Sequence, residues 1–545
     1  MILLLLACTD PPVPGPPSTL PTVASDAGLE SLDASRLLRR MSLDIRGILP
    51  STEELDAVAA DAAQLEVLRD AYLDDPHVEE RLVQLLAERW HTRVDEFLVP
   101  YWEYQPYSSD PTYEYAVERA IGEEPLRLMA FVATQDRPWP EIVTADYTLA
   151  NEILAPIWPL DYPGGSGWQV SHYQDGRPAA GVLSTNGLWW RYYTTVSNLN
   201  RARAAAVARL LLCEDYLARP VTFSTNVSLV DQDGIEEALR SNPYCMGCHS
   251  SIDPIASALF GFWQAGEYNT DEMDHYHPER ERLGVSVIGT APEWYGVPVD
   301  GLAEMGSRIA ADPRFARCTA RSMAELLWRR PVENEDFSRV EQLRDAYLKG
   351  GERLKPLIAA VTDTAVYRAG GLNSKGTAMQ EAQENTLRLM TAPLLASSIE
   401  DLTGFRWVER GFDQLDNDSI GYRILGGGVD GSYVTRAQQK PGMTWALTVQ
   451  RLAEGAAEHV VQQELERGQS RRLLSRVELN SAPGSTEFEE ELKALYWRLY
   501  AQPAPAAWST GIGELWTSVA TAEDEKSAWV AVLSVMFRDP LFTAY

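Results

Sequence analysis

Apolar residues recur at helical spacing along most of the chain. They stand three or four positions apart, which places them on one face of an α-helix. The pattern covers residues 34–43, 60–74, 79–98, 201–213, 234–241, 300–310, 315–328, 338–347, 354–367, 387–402, 443–466, 485–500 and 523–537. Strand-like alternation is scarce. We therefore expect a mainly α fold of multi-helical domains with little β-structure.

A few segments carry more local signals. Residues 283–288 and 293–299 alternate weakly between apolar and polar, which indicates a small β-hairpin. Residues 51–54 combine a hydroxyl N-cap with carboxylates in the following turn, which is typical of a helix start. Asn242-Pro243 is expected to end one helix, and Pro254 to break the backbone again.

The formal net charge of −30 limits the partners that the chain can bind. Such an acidic chain is a poor ligand for nucleic acid or for an anionic membrane surface, because both would repel it. A basic redox partner would suit the charge, but the charge alone does not identify one. Apolar and charged fractions of 45% and 23% are ordinary for a globular protein.

One motif carries recognisable chemistry: Cys245-Met246-Gly247-Cys248-His249. Cys-x-x-Cys-His is the attachment pattern of a c-type haem, in which the two thiols bind the porphyrin and the histidine binds the iron. A structural zinc site normally needs four ligands, and no second cysteine pair is present. The sequence therefore predicts one haem c, held by Cys245 and Cys248, with His249 as axial ligand.

The ligand on the other side of the iron is left open. Met305 is the first candidate, since it lies 56 residues after His249 and ahead of a helix. Met273, His275 and His277 are rivals. The two histidines could instead bind a separate metal beside Asp274 and Glu279, and five-coordinate iron is a further alternative. Methionine ligation would suit electron transfer, whereas an open site would permit small-ligand chemistry.

Three cysteines lie outside the motif: Cys8, Cys213 and Cys318. If Cys8 is modified, Cys213 and Cys318 are left as a candidate disulfide, which an oxidising compartment would permit.

The start of the chain, MILLLLAC, ends in Cys8 and resembles a bacterial lipoprotein signal. The resemblance implies cleavage before the cysteine and its acylation. The basic residues that normally precede such a core are missing, so we expect the true start to lie upstream. Thr9 follows the cysteine, which by the same analogy favours the outer membrane. The apolar run is too short to span a bilayer, so the membrane is expected as a partner only through the lipid anchor.

Several segments resemble the planctomycete-type cytochrome c families, which are large exported proteins with helical domains. Residues 39–54 read RRMSLDIRGILPSTEE and are similar to the opening of those families. Residues 144–152, TADYTLANE, resemble another recurrent segment. The most specific likeness is NPYCMGCHSSIDPI at residues 242–255. The resemblance implies an exported protein with one covalently held haem.

We divide the chain into a signal (1–8), a Pro-rich tether (9–28), an N-terminal helical domain (29–200), a cytochrome c-like haem module (201–370), a linker (371–383) and a C-terminal helical domain (384–545). The chain of 545 residues is too long for a single core.

The function expected from these features is electron transfer in the cell envelope, by a lipid-anchored monohaem protein with an unidentified redox partner. One alternative is an envelope binding or scaffold protein in which the haem module is accessory. Another is a haem-dependent oxidoreductase, which would need an open iron site and a distal base.

Overall fold

The computed structural model describes residues 26–93, 99–219, 232–264, 269–376, 387–417, 421–431, 433–469 and 471–545. Helices dominate these residues, and the named strands pair only as two-stranded antiparallel ribbons. The predicted mainly α fold is confirmed.

The α-helices are α1 Ala34–Ile45, α2 Thr52–Ala60, α3 Gln64–Tyr72, α4 His77–Trp90, α5 Glu114–Thr134, α6 Asn186–Arg191, α7 Arg201–Leu212, α8 Gln232–Ser241, α9 Pro243–Ser257, α10 Thr270–Met273, α11 Leu283–Val287, α12 Leu302–Ala310, α13 Pro313–Trp328, α14 Phe337–Lys349, α15 Leu354–Thr362, α16 Ala365–Arg368, α17 Ala392–Thr403, α18 Met443–Val460, α19 Thr486–Tyr500, α20 Ala506–Ala522, α21 Glu525–Arg538 and α22 Pro540–Thr543. A π-helical segment, Val461–Glu466, extends α18. Short 3-10 turns lie at Asp26–Gly28, Tyr101–Glu103, Pro111–Tyr113, Trp139–Val143, Gly181–Ser184, Phe260–Phe262, Pro278–Arg280 and Asn334–Asp336.

The strands are β1 Leu29–Ser31, β2 Thr148–Ala150, β3 Gln169–Ser171, β4 Glu293–Trp294, β5 Val297–Pro298, β6 Ala369–Leu372, β7 Val408–Glu409 and β8 Phe412–Asp413. They form the ribbons β1–β6, β2–β3, β4–β5 and β7–β8. The pair β1–β6 joins two segments far apart in the sequence, with Leu29 opposite Leu372.

The expected helix start at residues 51–54 is present. The hydroxyl of Ser51 accepts from the backbone N–H of Glu54, and the Glu54 carboxylate accepts from the N–H of Ser51. This capping box satisfies two backbone donors at the start of α2.

The expected hairpin between residues 283–288 and 293–299 is wrong. Leu283–Val287 is the helix α11, and the hairpin forms within the second segment, between β4 and β5. Its turn residues Tyr295 and Gly296 both have positive φ, at 48° and 84°. Two successive residues of positive φ suit a tight two-residue turn, so these strands pair with each other.

Buried hydrophobic residues form three clusters, and two of them make up most of the interior. The first combines residues from α1 to α16, including Leu38, Leu183, Ile255 and Tyr367. Residues on both sides of the expected boundary at residue 200 therefore share one core. The second cluster is built mainly from residues 389–545, but it also contains Leu43 and Leu49.

Asp44, near the end of α1, is the centre of a buried ion-pair network. Its carboxylate lies 2.9 Å from the guanidinium of Arg388, and both side chains are fully buried. The other carboxylate oxygen accepts a 2.6 Å hydrogen bond from the hydroxyl of Tyr545. Arg81 on α4 lies 4.0 Å from the same group. One side chain of the first helix thus joins α4, the segment before α17 and residue 545.

Two arginines of α1 extend the network to backbone carbonyls. Arg39 donates to the carbonyl of Leu499 at 2.9 Å and to that of Phe542 at 2.7 Å. Arg40 donates to the carbonyls of Tyr367 and Ala369, each at 2.7 Å. These contacts satisfy guanidinium groups that burial removes from water.

Within the described residues, no helix is long and apolar enough to cross a membrane.

We expect Asp44→Asn to lower the free energy of unfolding by roughly 3–5 kcal/mol, because it leaves the buried charge of Arg388 uncompensated. Equilibrium unfolding in guanidinium chloride measures the loss. Glu400→Gln is the matched control, since Glu400 pairs with Arg406 at 3.6 Å while both side chains are half-exposed. Its cost should stay below about 1 kcal/mol. Equal costs for the two variants would contradict the prediction.

Candidate functional site

The motif Cys245–His249 lies on helix α9, which packs against α7, α8, α11 and β4. The preceding helix α8 ends at Ser241, as Asn242-Pro243 predicted. Asn242 then caps α9 by accepting from the backbone N–H of Tyr244 at 3.0 Å. Pro254 was expected to break the backbone, but α9 continues through it to Ser257. The proline removes the helical hydrogen bond to the carbonyl of residue 250. Ser250 is exposed, so water can satisfy that carbonyl and the helix tolerates the proline.

The two thiols and the imidazole share one side of α9. Cys245, Cys248 and His249 follow an i, i+3, i+4 pattern, which brings side chains together on a helix surface. Both cysteines are free and partly exposed. A Cβ added at Gly247 would meet no atom within 4 Å, so the space beside the motif is open.

A carboxylate orients the histidine of the motif. The Nδ1 of His249 lies 2.8 Å from Oδ1 of Asp253, one turn further along α9. Asp253 is held in turn by Arg201 at the start of α7, which donates from Nε at 2.9 Å and from Nη2 at 3.2 Å. Burial raises the pKa of Asp253, but the contacts with His249 and Arg201 outweigh it and leave that pKa below its usual value. Asp253 is therefore an anionic acceptor for His249.

A cavity of about 540 Å³ adjoins His249. Apolar and small side chains of neighbouring elements form much of its wall; they include Leu199, Ile235, Leu239, Pro254, Val287 and Ile288. His249, Met246 and Asp253 reach it from α9, whereas Cys245 and Cys248 do not line it. The volume lies in the range of small-molecule and cofactor sites.

These residues fit a covalently bound haem. The attachment needs two free thiols and an adjacent imidazole, and α9 presents all three on one side. The hydrogen bond to Asp253 occupies Nδ1 of His249, which leaves Nε2 as the nitrogen for iron. The open surface at Gly247 and the cavity beside His249 provide space on two sides of the motif.

Met305 is not brought to this cavity. Its side chain is fully buried on α12, within the first hydrophobic cluster. The rivals lie elsewhere too: Met273 is buried in a third cluster with Trp158 and Trp190, and His275 is exposed. His277 contacts the carbonyl of Glu272 at 3.1 Å. None of these four side chains lines the cavity beside His249.

The alternative of a separate metal near the two histidines is not supported. Among the described residues, no group of three or more His, Cys, Asp or Glu side chains could hold a metal ion. Asp274 points inward and accepts from the indole N–H of Trp190 at 2.9 Å. It therefore does not join His275 and His277.

The candidate pair Cys213 and Cys318 is a disulfide in the structure. It links the end of α7 to α13 and encloses the segment that carries α8, α9, α10 and α11. Arg89 donates to the sulfur of Cys213 at 3.0 Å. Cys8 and the Pro-rich residues 9–25 lie outside the described residues.

Two buried carboxyl groups have unusual pKa values without forming a site. Burial raises the pKa of Glu124 to about 7, and it does the same for Asp274. Glu124 accepts from Thr148, Tyr173 and the backbone N–H of Gly187 at 2.6–2.8 Å. Because these donors satisfy its oxygens, we assign Glu124 a structural role.

Asp253 and Arg201 are the site residues that sequence reasoning missed. The signal for Asp253 was available, because an acid four residues after a helical histidine can hydrogen-bond to it. Arg201 lies 52 residues before Asp253 and only the packing of α7 on α9 brings it there.

Comparison with known families gives one match. Residues 295–366 match the family described as a protein of unknown function (DUF1585). The matched segment starts at the turn between β4 and β5 and runs through α12–α15 into α16. No curated protein and no solved structure matches the chain.

We expect that replacing both Cys213 and Cys318 by alanine will lower the free energy of unfolding by about 2–5 kcal/mol, since the disulfide closes a loop of 105 residues. Denaturant unfolding of the oxidised wild type and the double variant measures the difference. The reduced wild type should unfold like the variant. An unchanged transition after reduction would contradict this expectation.

Proposed function

We propose that the chain is a monohaem c-type protein that transfers electrons. Cys245 and Cys248 would hold the haem through thioether bonds, and His249 would bind its iron through Nε2. The observation that carries the proposal is the arrangement on α9, where two free thiols stand beside an imidazole whose Nδ1 is already held by Asp253. A bound haem would supply one-electron chemistry.

The exposure of the motif favours electron transfer. Tyr244 and Met246 are 67% and 41% exposed, and Gly247 borders open space. A haem edge at this surface would be accessible to a partner protein. Because the chain carries a net charge of −30, a partner with a basic surface would complement it.

We do not assign Met305 to the iron. Ligation would require this side chain to leave the hydrophobic cluster in which it is fully buried. Burying a methionine contributes about 1.5–3 kcal/mol, so its removal from the core opposes ligation. We propose His249 as the axial ligand from the protein and leave Met305 to the core.

We also propose that the protein resides in the cell envelope, anchored by lipid at Cys8. The lipoprotein-like start and the Pro-rich tether support this, and so does the disulfide, because disulfides persist in oxidising compartments. The DUF1585 match downstream of α9 agrees with the resemblance to planctomycete-type cytochromes, although the family description itself gives no activity.

The Asp253–His249 contact is the observation that favours a second candidate, a haem-dependent oxidoreductase. A carboxylate on Nδ1 makes the iron-bound nitrogen a stronger donor. That environment stabilises oxidised iron and suits chemistry at an open coordination position. Binding of carbon monoxide to the reduced protein would favour this candidate over a simple electron carrier.

We expect protein matured in a host that attaches haem c to show a sharp α-band after reduction, with the haem retained under denaturing conditions. The double variant Cys245→Ser and Cys248→Ser should lose both signals, because the thioether bonds cannot form. Absorption spectra and haem staining of denatured protein measure this. As a control, the double variant of Cys213 and Cys318 should keep its covalent haem. A wild type without haem would overturn the proposal.

We expect Asp253→Asn to raise the reduction potential of the haem by roughly tens of millivolts, because His249 loses its anionic hydrogen-bond partner. Arg201→Gln should shift the potential in the opposite direction, since it removes a positive charge from the same carboxylate. Spectroelectrochemical titration measures both shifts.

Glu293→Gln is the matched control for these two variants. Glu293 also lines the cavity, but it makes no hydrogen bond to His249. Its substitution should change the potential much less than Asp253→Asn does. Equal shifts of the reduction potential in Glu293→Gln and Asp253→Asn would indicate a general electrostatic effect and would contradict the role of Asp253.

A further inference from the structure

A second cavity, of about 570 Å³, lies away from α9 and shares no lining residue with the cavity beside His249. Its wall is formed by the end of α4, by α6, α7 and α13, and by Gly431 and the loop at residues 435–439. We call it the arginine cavity after the residues that it contains: Arg89, Arg191, Arg209, Arg321, Arg329, Arg330 and Arg436.

The charge of the arginine cavity is opposite to that of the chain. The protein has 48 Lys and Arg residues against 78 Asp and Glu residues, a net charge of −30. The arginine cavity is lined by the seven arginines above and by three acids, which are Glu88, Asp215 and Glu325. Such a concentration of one sign in a concave wall focuses the potential on that space.

Some of these arginines are paired with carboxylates. Arg329 lies 2.9 Å from Glu88, and Arg321 lies 3.0 Å from Glu325. Arg89 shares the second of these acids, at 3.6 Å. These pairs are part of the wall and account for two of its three acids.

Three other arginines have no carboxylate ion pair among the described residues. Arg191 donates to the backbone carbonyls of His91 and Gly431, at 2.7 and 2.6 Å. Arg209 donates to the hydroxyl of Tyr192 at 3.0 Å. Arg436 is exposed at the loop. Asp430 attracts the charge of Arg191 without forming an ion pair with it among the described residues, so the three positive charges are only partly compensated.

Burial and mutual repulsion make this arrangement electrostatically unfavourable. Burial lowers the pKa of Arg191, and the neighbouring Arg209 lowers it further. Burial also lowers the pKa of Arg89, with Arg209 and Arg321 adding to the effect of burial. An anion in the cavity would relieve the repulsion.

We propose that the arginine cavity binds a small organic oxyanion, a molecule that carries at least two carboxylate or phosphate groups. Arg191, Arg209 and Arg436 supply the charge for the oxyanion groups, because a guanidinium matches carboxylate and phosphate oxygens in geometry. The cavity volume suits a compact organic molecule. This site is independent of the proposed haem function.

The test is calorimetric titration of the full haem-matured protein with four probes. Citrate and fructose 1,6-bisphosphate each carry at least two oxyanion groups and should bind with dissociation constants of about 1 mM or lower. The tighter of the two identifies the preferred oxyanion. Glucose, which carries no charge, should not bind, and acetate, which carries a single carboxylate, should bind more weakly than citrate. Absence of binding by both multiply charged probes at about 10 mM would overturn the proposal.

Variants distinguish binding in the arginine cavity from a general effect of the protein's charge. Arg436→Glu should weaken citrate binding about tenfold or more, equivalent to about 1.4 kcal/mol. Arg321→Gln gives a second measurement at α13, with weakening in the same direction. Arg451→Glu is the matched control, because Arg451 is an exposed arginine on α18 that does not line the cavity. Equal weakening by Arg436→Glu and Arg451→Glu would overturn the proposal.

Because none of these titrations measures haem, the failure of the haem proposal and the failure of this one are distinguishable.

Discussion

The buried carboxylate of Asp44 is the interaction on which the arrangement of the chain depends. It stands on the first α-helix and accepts contacts from Arg388 and Tyr545, which are separated from it by 344 and 501 positions. A charge in such a place is tolerated only if it is paired and hydrogen-bonded. The buried charge of Asp44 on the first helix is therefore fully compensated only when the C-terminal segments are in place. Through this carboxylate the two large hydrophobic clusters are linked to each other.

The helical architecture was accessible from the sequence because most helices bury one apolar face. Several helices escaped this reasoning, α9 among them, and the two longest are α5 and α20. In α5, the charged residues Glu123, Glu124 and Arg127 are buried along with Pro125, so no apolar stripe is visible. Their burial is compensated by partners from elsewhere, such as the contact of Arg93 with Glu123 at 3.0 Å. The helix α20 contains Gly511 and Gly513 and several threonines and serines, which weaken a helical pattern.

Sequence reasoning could predict only the part of the site whose residues lie close together in the chain. Cys245, Cys248 and His249 lie within five residues and share a helix, so their pattern reveals their chemistry. Spacing could not locate Met305, because sequence distance from His249 says nothing about the packing of α12. Arg201 and the arginine cavity depend on tertiary contacts, and the cavity in particular collects residues from 88 to 439. Its charge was hidden in a composition that is strongly acidic overall.

Helix α7 connects the two sites. Its first residue, Arg201, holds Asp253 beneath the motif, and Arg209 near its end lines the arginine cavity. Eight positions separate them, which corresponds to about 12 Å along a helix. That distance exceeds the screening length of about 8 Å at physiological ionic strength, although buried charges are screened less. Charge in the arginine cavity therefore acts weakly on His249 through space. The covalent connection between the two sites is more direct. The disulfide at Cys213 fixes the end of α7 to α13, and it thereby fixes the position from which Arg201 contacts Asp253.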